Sequence, residues 1–368
     1  ITEYTPFITV GPLVRLHVIV WHHDSEVPEI APEGLEKEIA AIVRTWQDEL
    51  HDLLQRQYGP DATDFQKAYG EAFPPGYEDN NPPSRSLQDI ERIEKLSSDL
   101  PVGIDFFCDA EQPSNELRVM LYQLNEPIPL SKRVPILENF GFSVISEQTF
   151  EVTPLQNGER YTVFLHDMQI ETTSGVAMDL PTHDLRLEDC FLAVWHNNAG
   201  NDLYNSLIVQ AGMNWREAAL MRAFGSYLRQ IGAPFSRTYL ASTLNRHADI
   251  AVDLLELFRT FFDPGRQSSA EIRQKDAAAI TQRIEERLDK VESLDEDRML
   301  RRYLNLINAT LRTNFYQKPT ELTAGSTIAL KIRSAKVDGM PAPKPFAEIF
   351  VTSPRFEGIH LRGGPIAR

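Results

Sequence analysis

The sequence predicts an α+β chain: ferredoxin-like α/β sandwich units in the first 212 residues, then an antiparallel helical region, with strands at the end. Three observations carry that expectation. Residues 102–170 alternate apolar and polar in the order strand, strand, helix, strand, strand. Residues 213–318 repeat apolar side chains at three- and four-residue spacing, with capping residues between successive segments. A chain of 368 residues also exceeds the size at which one core stops growing, so several packed units are expected.

The first strand is read at residues 13–21 (LVRLHVIVW), which alternate and are rich in β-branched side chains. A long helix should follow from Glu33, with Ile39, Ile42, Val43, Trp46, Leu50, Leu53 and Leu54 on one face, stopped by Gly59 and Pro60. Residues 74–86 (PPGYEDNNPPSRS) hold four prolines and read as a loop or linker before a short helix through Ile90 and Ile93. VGIDFFC and LRVMLYQL then read as strands. Ser131 is expected to cap the helix KRVPILENF, which Gly141 closes, and FSVISEQTFEV and RYTVFLHDMQI form a hairpin before a helix at 185–196. That order matches the ferredoxin-like sandwich that small-molecule-sensing ACT domains use.

Asn214 and Glu217 make a capping-box variant that opens the next helix, which ends at Gly232 before Pro234. Ser236 opens a second, carrying Leu240, Leu244, Leu254, Leu255, Phe258, Phe261 and Phe262 to the stop at Asp263, Pro264 and Gly265. A third spans 269–291 with a narrow stripe of Ile272, Ile280, Ile284, Leu288 and Val291. Ser293 and Glu296 open a fourth that runs to about Phe315, and TIALKIRSA and FAEIFVTSP read as closing strands. The expected units are 1–100, an α/β unit with long helices; 101–212, an ACT-like domain; 213–318, a helical domain; and 319–368, a β segment.

Composition narrows function. With 53 acidic against 37 basic residues the net charge is -16, which opposes a general nucleic-acid surface. Cys108 and Cys190 lie far apart with no ligand spacing, as in a reduced cytoplasmic protein. No apolar run has the length a membrane span needs. P-loop, GxGxxG, HExxH and GxSxG motifs are absent. Trp21, His22, His23 and Asp24 offer metal-ligand types at a strand end, but nothing completes a set, so a solvated loop is the simpler reading. His247 is read as an interhelix hydrogen-bonding residue, Arg298, Arg301, Arg302 and Arg312 as salt-bridge partners of the preceding acidic helix, and the Phe258, Phe261 and Phe262 stripe as core. No catalytic, cofactor-binding or metal-ligating residue is assigned. Gly363 and Gly364, which lack a Cβ, allow a close approach of backbone to a ligand or another chain.

Several long segments together are similar to the large bacterial NAD-specific glutamate dehydrogenases. They are VPILENFG (134–141), FLAVWHN (191–197), AGMNWREAALMRAFGSYLRQIGAPFS (211–236), LDEDRMLRRYLNLINATLRTNFYQ (294–317) and FVTSPRFEGIHLRGGPIAR (350–368), in the family's order. Thr352 stands where the family often has Tyr. The resemblance implies that the catalytic lysine and aspartate and the NAD-binding domain lie beyond Arg368, so the chain is expected to be a fragment preceding the active domain. For the intact enzyme it implies NAD as cofactor, oxidative deamination of L-glutamate, a homo-oligomer and the missing C-terminal catalytic domain as partner. Gly363, Gly364 and Arg368 are the residues that position brings nearest to substrate. For the chain itself it implies regulation and assembly, with sensing of a free amino acid as the alternative. The connection LNEPIPLSKR has no glycine where an effector loop of that kind would carry one, which favours a scaffold.

Overall fold

The computed structural model describes residues 3–9, 15–21, 32–108, 115–175, 177–317 and 326–365. An antiparallel hairpin of β1 (Glu3–Thr9) and β2 (Arg15–Trp21) comes first, then α1 (Pro32–Ile42). The single long helix expected from Glu33 is two. Thr45 and Asp48 form a reciprocal capping box that starts α2 (Trp46–Tyr58) afresh, leaving Ile39, Ile42 and Val43 exposed while Leu50 and Leu54 are buried. Gly59, with φ of 51°, ends α2 as expected. After α3 (Ala62–Tyr69), the proline-rich stretch folds into α4 (Pro75–Asn80) and α5 (Pro83–Ile93). Each begins with proline at its first helical position, where a missing N–H and a fixed φ cost nothing. Tyr77, fully buried, belongs to the core.

The sheet of β3 (Val102–Phe107), β4 (Glu116–Leu124), β5 (Phe142–Val152) and β8 (Val163–Thr172) has the order β3-β4-β8-β5, every neighbouring pair antiparallel. Two-residue strands β6 (Leu155–Gln156) and β7 (Glu159–Arg160) close the hairpin tip. Between β4 and β5 stands α6 (Leu130–Asn139), and α7 (Leu180–Trp195) follows β8. Ser131 lies inside α6, whose N-cap is Pro129, so the expected cap is displaced by two residues. Gly141, φ 92°, turns the chain into β5.

Alternation along the strands gives this sheet two buried faces. Leu117, Val119, Leu121, Met168 and Ile170 pack with α6 and α7, whereas Met120, Tyr122, Val163 and Leu165 pack with α2–α5. Residue 100, where the sequence suggests a unit boundary, thus separates two segments that share one core. A buried polar network ties the α2–α5 layer to the sheet. Asp89 accepts hydrogen bonds from Tyr77 and from Tyr122 (2.6 Å) and pairs with Arg85 (2.7 Å), which also reaches Asp105 (2.7 Å). Arg92 continues it, bridging Asp105 on β3 (2.7 Å) and Glu188 on α7 (2.6 Å).

The remaining helices are α8 (Leu207–Ala211), α9 (Trp215–Gln230), α10 (Arg237–Arg246), α11 (Ala248–Phe262), α12 (Ala270–Leu288) and α13 (Leu294–Ala309). The Asn214–Glu217 box and the Ser236 cap form as read. What reads as one helix from Ser236 to Phe262 breaks at His247, whose ψ of 54° is not helical. Ser293 caps α13, but Glu296 turns its carboxylate to Arg246 and His247 instead of completing a box. The fourth helix stops at Ala309, because Thr310–Thr313 becomes strand β9 on β10 (Ile328–Ile332). With β11 (Ala347–Thr352) and β12 (Glu357–Arg362) the order is β12-β11-β10-β9, so the FEGIHLR stretch is an edge strand that the sequence reading did not assign. Ile328, Leu330, Ile332 and Phe350 share a core with α9–α13.

Candidate functional site

The structure places Gly363 and Gly364 just beyond β12. A Cβ built on either meets nothing within 4 Å, so no described atom crowds the pair. Arg368 lies outside the described residues, as do His22, His23 and Asp24. Close to the approach to β12 is a cavity of about 410 Å³ lined by Asp202, Arg222, Arg237, Ser353, Arg355 and Glu357. Arg222 grips the Asp202 carboxylate through Nε and Nη2 at 2.8–3.0 Å, a fork geometry arginine favours. Arg237 donates to Glu357 at 3.2 Å, and Ser226 donates to the same oxygen at 2.8 Å. Two of the cavity's three cations are therefore already paired.

The second place is where an ACT-like effector loop would lie, between β4 and α6. His166 on β8 is buried; its Nε2 accepts from the Ile128 N–H at 2.9 Å and its Nδ1 lies 2.8 Å from Thr149 Oγ1. Burial first, and then the charge of Arg133, push this imidazole down to about 4, against the pull of Glu147. It is a neutral acceptor at pH 7 that fixes the loop to the sheet. Arg133 on α6 is also buried and donates to Glu147 at 2.6 Å, and burial lowers its pKa. The loop is thus held by internal partners, without a glycine giving backbone access.

The other residues singled out by sequence are placed more plainly. His247 Nε2 lies 2.8 Å from Glu296, joining the α10–α11 corner to α13, the interhelix contact anticipated. Arg301 pairs with Asp289 beyond the end of α12 and with Asp297 on its own helix; Arg298 pairs with Asp295. Phe258 is fully buried and Phe261 and Phe262 pack against its cluster. Burial raises the Cys190 thiol to about 12, which leaves it unreactive. Among the described residues no group of three or more His, Cys, Asp or Glu could hold a metal ion, and no helix is long and apolar enough to cross a membrane. Sequence reasoning missed the Arg85, Asp89 and Arg92 set on α5. Its signal was charge at positions i, i+4 and i+7 in register with Ile90 and Ile93, a polar stripe on the inward face.

Fold and sites together define a chain built from an ACT-like sandwich and a helical bundle continuous with a second sheet, offering sites that bind or support. Family models make the assignment specific. Residues 53–96 match glutamate dehydrogenase helical motif 2, 101–183 the glutamate dehydrogenase ACT3 domain, 199–264 helical motif 3, and 283–368 the catalytic domain of bacterial NAD-glutamate dehydrogenase. Four segments of the chain thus match domains of the bacterial NAD-specific glutamate dehydrogenases. The chain is 36% identical over 367 residues to the NAD-specific glutamate dehydrogenase of Pseudomonas aeruginosa, covering 100% of this chain and 22% of that one. The Halomonas elongata protein of the same name is 33% identical over 368 residues (100% and 22%), and that of Mycobacterium tuberculosis 33% over 350 residues (94% and 21%). The chain thus spans about a fifth of the length of these relatives. The catalytic-domain match begins within α12, upstream of the closing β segment read from sequence.

Proposed function

We propose that this chain is a regulatory and assembly region of a cytoplasmic NAD-dependent glutamate dehydrogenase, and that its own role is to hold that enzyme together. The intact enzyme would oxidise L-glutamate with NAD: hydride leaves Cα for the nicotinamide, and water converts the resulting imine to 2-oxoglutarate and ammonia. NAD and substrate would be held by a catalytic domain that extends past this chain, with Gly363, Gly364 and Arg368 on the approach to substrate. The units proposed are those read from sequence, 1–100, 101–212, 213–318 and 319–368, the first two packed through one core, assembled in a homo-oligomer.

One observation carries the scaffold reading: both faces of the ACT-like sheet are sealed by helices of the same chain, and its β4–α6 loop is anchored through His166. The alternative, a sensor for a free amino acid, draws support from the ACT3 match and from the buried Arg133 beside that loop. A thermal-shift screen of the purified chain against NAD, glutamate, 2-oxoglutarate and a panel of amino acids separates the two, because a ligand that binds only the folded state raises its melting temperature. A flat screen with an oligomer in sedimentation analysis fits the scaffold. A shift with one amino acid, abolished by Arg133→Met, establishes the sensor and sinks the scaffold reading. NAD reduction by the chain alone would place the chemistry here.

A further inference from the structure

We propose that the outer edge of β3, flanked by α5 and α7, is a docking groove for an extended protein segment carrying a lysine or arginine side chain. β3 is the last strand in its sheet, hydrogen-bonded to β4 on one side only among the described residues. Such an edge presents backbone N–H and C=O groups that a further strand can pair with. Here the edge is not smothered: α5 and α7 stand on opposite faces and leave a cavity of about 730 Å³ along it.

The charges in this groove are unbalanced. Glu91 from α5, Asp105 from β3 and Asp184 from α7 line it, with Glu188 behind them, and among the described residues they meet Arg92, Lys95 and an Arg85 that Asp105 shares with Asp89. Arg92 is already spent on Asp105 and Glu188. Asp184 Oδ1 is buried and meets no hydrogen-bond donor among the described residues, an arrangement that costs free energy until a cation or donor arrives. Burial and then the charge of Asp105 raise the Asp184 pKa, and burial pushes Glu188 up to about 7 despite its arginine. Both shifts have the sign of a site short of positive charge. At the rim, Leu185 is 72% exposed, an apolar surface for the aliphatic stem of a long cationic side chain. A strand laid along β3 places every second side chain toward α7, so basic residues at alternate positions share the face that meets Asp184.

The test uses the whole chain and an end-blocked, fluorescently labelled peptide, Thr-Val-Lys-Val-Lys-Thr, with a counterpart in which both lysines are glutamates. Anisotropy is expected to show saturable binding of the lysine peptide and at least tenfold weaker binding of the glutamate one. Asp184→Asn is expected to weaken the lysine peptide at least fivefold without lowering the melting temperature. β3 amides should gain hydrogen-exchange protection in the complex. Should Asp184→Asn fold poorly, Lys95→Glu at the exposed rim is expected to tighten lysine-peptide binding, in a manner screened by salt. Equal binding of the two peptides, indifference to both substitutions, or displacement of the peptide by butylamine without any β3 protection overturns the proposal; the last outcome would mean an amine pocket and no added strand.

Discussion

Replacing Gly225 with alanine tests the packing of the helical region at its tightest point. Gly225 lies in the middle of α9, where alanine on an exposed helix would gain about 1 kcal/mol. A Cβ built there falls 2.0 Å from Tyr204 Oη, 2.7 Å from Tyr303 Oη and 3.1 Å from Tyr204 Cζ. Both rings are fully buried, and their hydroxyls are hydrogen-bonded to each other at 2.8 Å. The methyl must push the pair apart, costing roughly 1–3 kcal/mol for overpacking. Separating two hydroxyls that cannot reach water adds about 1–3 kcal/mol. Set against the helix gain, the net loss is about 3 kcal/mol, to be read from urea unfolding followed by tertiary fluorescence. Adding Tyr204→Phe removes the atom at 2.0 Å, leaving Tyr303 Oη at 2.7 Å and the ring Cζ at 3.1 Å, so the double variant should recover part of the loss. A Gly225→Ala protein as stable as wild type, or no recovery in the double variant, would refute the account.

Two buried groups should give opposite pH dependences that mask one another. Glu188, pushed up to about 7, holds its proton better folded than unfolded, so its contribution falls as pH rises from about 4.5 to 7; His166, held near 4, is protonated more readily unfolded, so its contribution is lost as pH falls from about 6.5 to 4. Glu188→Gln should therefore expose a stability that rises with pH between 4.5 and 6.5, and His166→Gln one that falls, each changing by on the order of 2–3 kcal/mol in denaturant titrations across that window; identical slopes in the two variants would sink the assignment. Asp89→Ala leaves the Tyr77 and Tyr122 hydroxyls without their carboxylate acceptor and Arg85 with Asp105 as its remaining carboxylate, an expected loss of about 3–5 kcal/mol in the same assay, and a loss below about 1 kcal/mol would mean that the network is not what attaches α5 to the sheet.

Much of this architecture is legible one residue at a time, where the signal is local. Asn214 with Glu217 and Ser236 mark helix starts because the cap is chemistry between neighbours. Alternation from 102 to 170 marks the strands for the same reason. The failures share a cause as well. Prolines 74, 75, 82 and 83 read as loop because proline starts helices as readily as it interrupts them, and only the burial of Tyr77 decides between the two. Thr310–Thr313 prolongs the helical pattern of α13 and becomes a strand because β10 is there to pair with it. Thr45 and Asp48 did carry a local signal, a capping box inside the supposed long helix, and the apolar spacing around it masked it. The inward charges of α5 needed the fold: nothing in the order of Arg85, Asp89 and Arg92 says that Asp105 and Glu188 wait for them.

The manner in which the cores meet bears on what this chain can do. The β3-β4-β8-β5 sheet is the common wall of two cores, with Val119 and Leu121 on one side and Met120 and Tyr122 on the other. Helix α8 is a second common wall, since Leu207 belongs to the helical core while its neighbour Ile208 belongs to the α6–α7 core. Polar contacts run the same way: Arg92 binds α5 to α7, and Arg222 on α9 binds Asp202 in the segment that leaves α7. Close-packed interiors yield little to local strain, so a body whose cores share walls resists rearrangement of one layer alone. An effector could act through it only by favouring a second packing of several layers at once, and its differential affinity would have to match the cost of that change. This continuity is what the proposed scaffold role requires, and it is why a flat ligand screen is the result expected under that proposal.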